Sequence, residues 1–292
     1  MTSGYLMHAY NNEELDYGTM ALCSALLIKK QSVNNNVSLI TTQDTINWLT
    51  SSKGYELVNS AFDNVLIVEI DREVPSRTFH DTRYTSKIQP YYNTSRPDSF
   101  DLTPFDETVL IDVDYLVLDN SLDNVWGSLE DIMVNKSVID LNHTSNISGF
   151  DSRLSTLGIH MYWATVMYFK KNSRAKVLFD LIKFIKDNYK FYRALYNFSD
   201  SGYFRNDYAL SIALHMLSGE FENDSIKSLP NPSLLFSTEN DDMVSFNNGT
   251  ASFIGEPTQG NFSLHKVNTN VHVMNKWSIV RMADRIIDYA TN

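Results

Sequence analysis

The apolar run 109–119 constrains the fold more than any other stretch of this sequence. It consists of Val, Ile and Leu with one Tyr, and acids stand at positions 112, 114 and 119. Such a run is typical of a central strand that is buried on both faces of a parallel or mixed sheet. Because side chains alternate along a strand, Asp112 and Asp114 are expected on one face where the strand emerges. Open α/β sheets bind their ligands at this carboxyl end.

The two acids of this run predict a metal site. Unpaired carboxylates are costly to bury in an apolar segment, so this pair needs a metal, a basic partner or water. We also expect the acids to repel a diphosphate unless a divalent ion is bound. One Asp-x-Asp arises by chance in a chain with 35 acidic residues. A rival pair, Glu69 and Asp71, is followed by charged residues and is interpreted as a strand end that enters a solvated loop.

The N-terminal third alternates between strand and helix patterns, which predicts βαβ units and a mainly parallel sheet. The expected elements are a strand at 5–10, a helix at 13–30, a strand at 37–42, a helix at 45–50 capped by Asp44, and a strand at 62–70. Residues 71–104 are expected to form one long connection. Its basic residues are Arg72, Arg77, Arg83, Lys87 and Arg96. Held near the strand ends, Arg83 and Lys87 could neutralise a bound phosphate or the acid pair, and the alternative is that these charges are solvated in the loop.

The rest of the chain has three clear patterns and one polar segment. The expected elements are a strand at 158–169, helices at 174–198 and 206–217, and a strand at 270–277 that enters a last helix at 278–289. Residues 223–260 are polar and turn-rich. The helix at 174–198 has a basic face, interpreted as a solvated face, with Lys176, Lys183, Lys186, Lys190 and Arg193.

The composition limits the class of protein. The net charge of −11 disfavours binding to nucleic acid or to anionic membranes. The one cysteine, Cys23, excludes an intrachain disulfide and is expected in the core. No signal peptide and no membrane-spanning run is visible, so the cytoplasm is the expected location, or the host cytoplasm for a viral protein. We expect one domain over 1–292, with halves at 1–119 and 120–292, and a homodimer is left open.

The segment 102–114, Leu-Thr-Pro-Phe-Asp-Glu-Thr-Val-Leu-Ile-Asp-Val-Asp, resembles the approach to the Asp-x-Asp motif of GT-A-fold glycosyltransferases. The nearest group is family eight, which includes glycogenin and galactinol synthase. The resemblance extends thinly along most of the chain. It implies an α/β, Rossmann-like GT-A domain with a central mixed, mainly parallel sheet flanked by helices. It also implies sugar transfer, with retention, from a nucleoside-diphosphate sugar to an acceptor hydroxyl, with Mn²⁺ or Mg²⁺ held by the two acids.

The resemblance assigns further residues. Tyr10 stacks on the base, Lys87 lines the nucleotide site, to which charge alone adds Arg83, and Asp207 joins Asp114 as a catalytic carboxylate near the reacting sugar. His272 completes the metal site with Asp112 and Asp114, and Lys276 contacts phosphate. The family's longer His-Gly-Lys-Pro-Trp spacing is shortened here and lacks Gly and Pro, which leaves His265 as the alternative ligand. The acceptor is a carbohydrate, a protein or a hydroxylated DNA base.

Two other functions compete with sugar transfer. A haloacid-dehalogenase-type phosphatase also uses Asp-x-Asp after an apolar strand. Its motif stands on the first strand and has Thr or Val two residues after the second acid, where this chain has Leu116. The other is a module that binds a nucleotide sugar or glycan without turnover, because a fold does not fix a function.

Overall fold

The computed structural model describes residues 1–69, 76–82, 85–90, 95–141, 153–154, 159–196, 204–218, 226–230, 233–237, 242–258 and 260–292. In chain order, the strands are β1 (Ser3–Ala9), β2 (Val37–Thr41), β3 (Asn64–Ile67), β4 (Ser76–Thr82), β5 (Thr85–Pro90), β6 (Glu107–Ile111), β7 (Tyr115–Leu116), β8 (Ile132–Asn135), β9 (Ser137–Asp140), β10 (Trp163–Lys170), β11 (Lys227–Ser228), β12 (Ser233–Phe236), β13 (Met243–Asn247), β14 (Thr250–Thr258), β15 (Asn261–Val267) and β16 (Val271–His272). The α-helices are α1 (Tyr17–Gln31), α2 (Gln43–Lys53), α3 (Tyr55–Ala61), α4 (Ser99–Leu102), α5 (Ser173–Asp187), α6 (Tyr189–Leu195), α7 (Asn206–Ser218) and α8 (Lys276–Thr291). Single turns of 3-10 helix lie at Arg96–Asp98 and Ser121–Val125.

A seven-stranded sheet organises the molecule, in the order β11-β8-β10-β6-β1-β2-β3. Strand β10 runs antiparallel to β6 and β8, and the other neighbouring pairs are parallel. This confirms the predicted mixed, mainly parallel sheet. Strand β6 lies between β10 and β1, and all five of its residues are buried, as its apolar sequence predicts.

Helices cover the sheet through apolar faces. Helix α1 contacts β1, β2 and α8, while α7 packs on β10 and on α5. Cys23 of α1 is fully buried, and burial raises the pKa of its thiol to about 12. The interpretation of Cys23 as a core residue is therefore confirmed. Within the described residues, no helix is both long and apolar enough to cross a membrane.

The run 109–119 forms two strands, so the prediction of one continuous strand is wrong. Strand β6 ends at Ile111, and Asp112–Val113–Asp114 form a turn that the Tyr115 N–H closes on the Asp112 carbonyl at 3.1 Å. Strand β7 then pairs with β16 in a second sheet of order β7-β16-β12-β9. The chain leaves the first sheet at its two acids, where Asp112 pairs with Arg96 and Asp114 pairs with Lys276.

Several other boundaries differ from expectation. Thr42, not Asp44, caps α2, because the Thr42 side chain accepts the Thr45 N–H. The helix expected at 174–198 is interrupted at Asn188, whose side-chain amide donates to the Phe184 carbonyl and competes with the helix backbone.

The connection at 71–104 contains β4, β5 and α4, and the segment 223–260 contains β11 to β14. The last strand stops at His272, and Lys276 opens α8. The one-domain organisation stays a prediction.

Candidate metal centre

The turn after β6 brings Asp112 and Asp114 together with His272. Each residue offers one ligand atom, and the three atoms lie within 4.8 Å of one another. Strand pairing explains the grouping, because β16 places His272 opposite Tyr115 of β7 and the Val273 N–H donates to the Asp114 carbonyl at 2.8 Å. Asp114 and His272 are 4% and 6% exposed. Residues far apart in the chain thus converge at the carboxyl end of β6.

The donor atoms of this group fit a divalent ion. Carboxylate oxygens suit Mg²⁺ and Mn²⁺, and an imidazole nitrogen favours Mn²⁺ over Ca²⁺. Ligands about 2.1 Å from an octahedral ion lie about 3.0 Å apart as neighbours and about 4.2 Å apart across the ion. Asp114 Oδ1 and His272 Nε2 are separated by 3.3 Å, close to the spacing of neighbouring ligands.

Lys276 neutralises Asp114. Its Nζ lies 2.6 Å from Asp114 Oδ2, on the carboxylate oxygen that does not face His272. Lys276 reaches this position because it is the first residue of α8, which the Asn275 side chain caps. Burial raises the pKa of Asp114, but the charge of Lys276 and the hydrogen bonds to Lys276 and His272 outweigh it and hold the pKa well below its usual range. Asp114 is therefore a carboxylate at neutral pH.

Arg96 neutralises Asp112 and was not singled out from the sequence. Its guanidinium pairs with Asp112 Oδ1 and donates to the carbonyls of Ala164 and Thr165. Arg96 is 4% exposed. Desolvation, with the charge of Asp114, raises the pKa of Asp112 to about 6 although Arg96 opposes the rise. No sequence signal separates Arg96 from the other basic residues of 71–104; only the fold places it beside β6.

A buried hydrogen-bond network holds the turn that carries Arg96. Ser99 Oγ donates to the Arg96 carbonyl at 2.6 Å, and His8 Nε2 lies 2.8 Å from Ser99 Oγ. Since the Ser99 hydroxyl proton points to that carbonyl, His8 Nε2 donates and His8 Nδ1 accepts from Tyr10, 3.1 Å away. Burial lowers the pKa of His8 to about 3, so the ring is neutral.

Tyr10 lies in this network. Its hydroxyl is also 2.6 Å from Ser95 Oγ, its side chain is 4% exposed, and burial raises its pKa to about 12. These contacts anchor the end of β1 to the segment before α4. Stacking of Tyr10 on a base stays a prediction.

Helix α7 begins at Asn206, beside Arg96. Asn206, 8% exposed, lines a small cavity together with Arg96 and Ala164. Asp207 pairs with Arg205 Nη2 at 2.7 Å. The catalytic role of Asp207 stays a prediction, and the residues of α7 that line this cavity with Arg96 are Asn206 and Leu210.

The remaining predicted site residues are Arg83, Lys87 and His265. Arg83 is outside the described residues, and only the backbone of Lys87, on β5, is described. His265 lies on β15, where its Nε2 is 2.7 Å from Ser263 Oγ, and the candidate metal group contains His272 instead. The nucleotide contacts of Arg83 and Lys87 stay predictions.

No family profile and no curated protein matches this sequence. Among solved structures, the chain is similar to the galactosyltransferase LgtC in complex with donor and acceptor sugar analogues, with a TM-score of 0.49 and 10% identity over 99% of this chain and 95% of LgtC. An active-site mutant of LgtC gives a TM-score of 0.43 and 14% identity over 72% of this chain and 69% of LgtC.

The chain is also similar to the glycosyltransferase GlyE of Streptococcus pneumoniae TIGR4, with a TM-score of 0.45 and 12% identity over 78% of this chain. It spans 45% of the GlyE chain.

Proposed function

We propose that the protein is a glycosyltransferase that moves a sugar from a nucleoside-diphosphate sugar to an acceptor hydroxyl and depends on Mn²⁺ or Mg²⁺. The observation that supports it is the grouping of Asp112, Asp114 and His272 at the carboxyl end of β6, beside Lys276 and Arg96. The two acids and the two cations balance in formal charge. A bound divalent ion would therefore leave a surplus of two positive charges, which matches a diphosphate.

Each residue has a role in this proposal. Asp112, Asp114 and His272 would hold the ion, which offsets the negative charge that develops on the diphosphate leaving group. Lys276 exchanges its contact with Asp114 for a phosphate oxygen, since an ammonium is a phosphate partner. Arg96 keeps Asp112 oriented towards the ion.

The sugar is transferred with retention, in line with the sequence resemblance. An acceptor hydroxyl that is placed against the anomeric carbon needs little further activation, because placement supplies much of the barrier reduction. Asp207, at the start of α7, acts on the charge that forms in the transition state.

The proposed acceptor is a carbohydrate or protein hydroxyl, not a hydroxylated DNA base. Two lysines of the basic helix face are paired with acids of this chain, because Lys176 contacts Asp180 at 2.8 Å and Lys183 contacts Asp98 and Asp101 at 3.0 and 2.5 Å. Together with the net charge of −11, this leaves little positive field for a polyanion.

The alternatives are less well supported. A haloacid-dehalogenase-type phosphatase needs a free Asp nucleophile after its first strand, whereas Asp112 follows β6 and pairs with Arg96. A module that only binds a nucleotide sugar has the same contacts, and turnover distinguishes it from an enzyme.

The test is incubation with a panel of nucleotide sugars and Mn²⁺, followed by measurement of released nucleoside diphosphate. We expect slow donor hydrolysis that a chelator abolishes. His272→Ala should abolish it as well, whereas the control His265→Ala should not, because His265 lies outside the metal group. Metal-dependent binding without release would indicate a binding module, release of inorganic phosphate a phosphatase, and chelator-resistant release would contradict the proposed metal dependence.

A further inference from the structure

We infer that Thr165 is a positioning residue of the metal centre, and that its hydroxyl holds the His272 ring so that Nε2 faces Asp114. The inference rests on the proposed function, because it concerns the ion that the function requires. Thr165 belongs to β10, is 3% exposed, and is neither one of the acids nor one of the cations of the site.

His272 bridges Thr165 and Asp114. Its Nδ1 lies 3.4 Å from Thr165 Oγ1, and its Nε2 lies 3.3 Å from Asp114 Oδ1. Trp163 stands edge-on to the same ring, with 6.3 Å between ring centroids. The Thr165 hydroxyl therefore gives the buried Nδ1 a hydrogen-bond partner, while Trp163 limits the orientation of the ring.

The backbone of Thr165 contacts two more residues of the site. Its carbonyl accepts the Asp112 N–H at 2.9 Å and an Arg96 Nη2–H at 3.4 Å. These contacts follow from strand register, because β10 runs antiparallel to β6 with Val166 opposite Ile111. Thr165 then lies beside Asp112, the next residue after β6. One residue thus connects the turn of the two acids, the buried arginine and the histidine.

The Thr165 hydroxyl can hydrogen-bond to Nδ1 of His272 both with and without a cation on Nε2. A histidine that binds a cation through Nε2 carries its proton on Nδ1, and it almost always donates this proton to a nearby acceptor. When the cation is absent, Nε2 can donate to Asp114, and Nδ1 then needs a donor. A hydroxyl is both donor and acceptor and serves either state, whereas a valine side chain serves neither.

The experiment compares Thr165→Val, which keeps the shape, with Thr165→Ser, which keeps the hydroxyl. The matched control is Thr108→Val, because Thr108 is a fully buried strand residue whose hydroxyl lies 2.7 Å from Thr103 Oγ1. Mn²⁺ affinity is measured by calorimetry without nucleotide, and thermal melting with and without Mn²⁺ checks folding. We expect Thr165→Val to weaken Mn²⁺ binding about 10- to 100-fold. Thr165→Ser and Thr108→Val should stay close to wild type.

The possible results distinguish the positioning role of Thr165 from the proposed metal dependence. Equal Mn²⁺ affinity in Thr165→Val and wild type would overturn the positioning role and leave the proposed function intact. Equal losses in Thr165→Ser and Thr165→Val would also overturn it, because packing of the methyl group would then explain the effect. Absence of Mn²⁺ binding in the wild type would overturn the proposed metal dependence and this inference together.

Discussion

Each acid of the metal group has its own cation. Asp112 pairs with Arg96, and Asp114 pairs with Lys276. On the sequence alone, the two acids are expected to repel a diphosphate as free carboxylates. This explanation is wrong, because each carboxylate is already paired with a cation. In the proposed function, metal dependence comes from the positive charge that the ion adds.

Lys276→Met should have opposite effects on the affinity for a nucleoside diphosphate and on the affinity for Mn²⁺ alone. Loss of a charge-assisted hydrogen bond costs about 1.5–3 kcal/mol, so affinity for a nucleoside diphosphate with Mn²⁺ should fall roughly 10- to 100-fold. Affinity for Mn²⁺ alone should rise, because no ammonium then competes for Asp114. Calorimetric titration of each ligand measures both quantities.

Lys29→Met is a matched control for this prediction. Lys29 forms an ion pair of the same length, 2.6 Å to Asp63, and its side chain is 22% exposed, as that of Lys276 is. The control should change neither affinity. A loss of Mn²⁺ affinity in Lys276→Met would show that Lys276 supports the ion instead of competing with it.

The short connection from β16 to α8 sets the geometry of the site. His272 is the last residue of β16, and Lys276 is the first residue of α8. The sequence predicted a strand through 277 because Val271 and Val273 alternate with polar residues. Asn275, a preferred helix cap, was the signal for the true boundary, and its side chain does accept the Ser278 N–H.

Asn275→Ala should weaken both stability and nucleotide binding. Loss of a helix cap costs about 1 kcal/mol, and the first turn of α8 then holds Lys276 less firmly. Asn172→Ala is the control, because Asn172 caps α5 by accepting the Ala175 N–H at 3.0 Å. Denaturant unfolding and calorimetry should show stability losses in both variants and weaker nucleoside diphosphate binding in Asn275→Ala alone. Unchanged nucleotide affinity in Asn275→Ala would show that the Asn275 cap does not position Lys276 for nucleotide binding.

At the scale of the whole molecule, the sequence predicted the large sheet and the location of the acids. Long apolar strands and the periodic helices α1, α5 and α7 carry strong local patterns, and these were identified. The sheet β7-β16-β12-β9 was not identified, because strands of two to four residues show no period and pair across long stretches of chain. Arg96 was missed for the same reason, since its partners lie in β10 and in the turn after β6.

The most direct test of the central claim is calorimetric titration of the whole chain with UDP and with GDP, each with and without Mn²⁺, for wild type and Asp114→Asn. We predict that at least one nucleotide binds the wild type ten or more times more tightly with Mn²⁺, a difference of about 1.4 kcal/mol or more. Asp114→Asn, which removes one ligand charge and keeps the shape of the side chain, should lose this difference. Equal affinity with and without Mn²⁺ in the wild type would contradict the account.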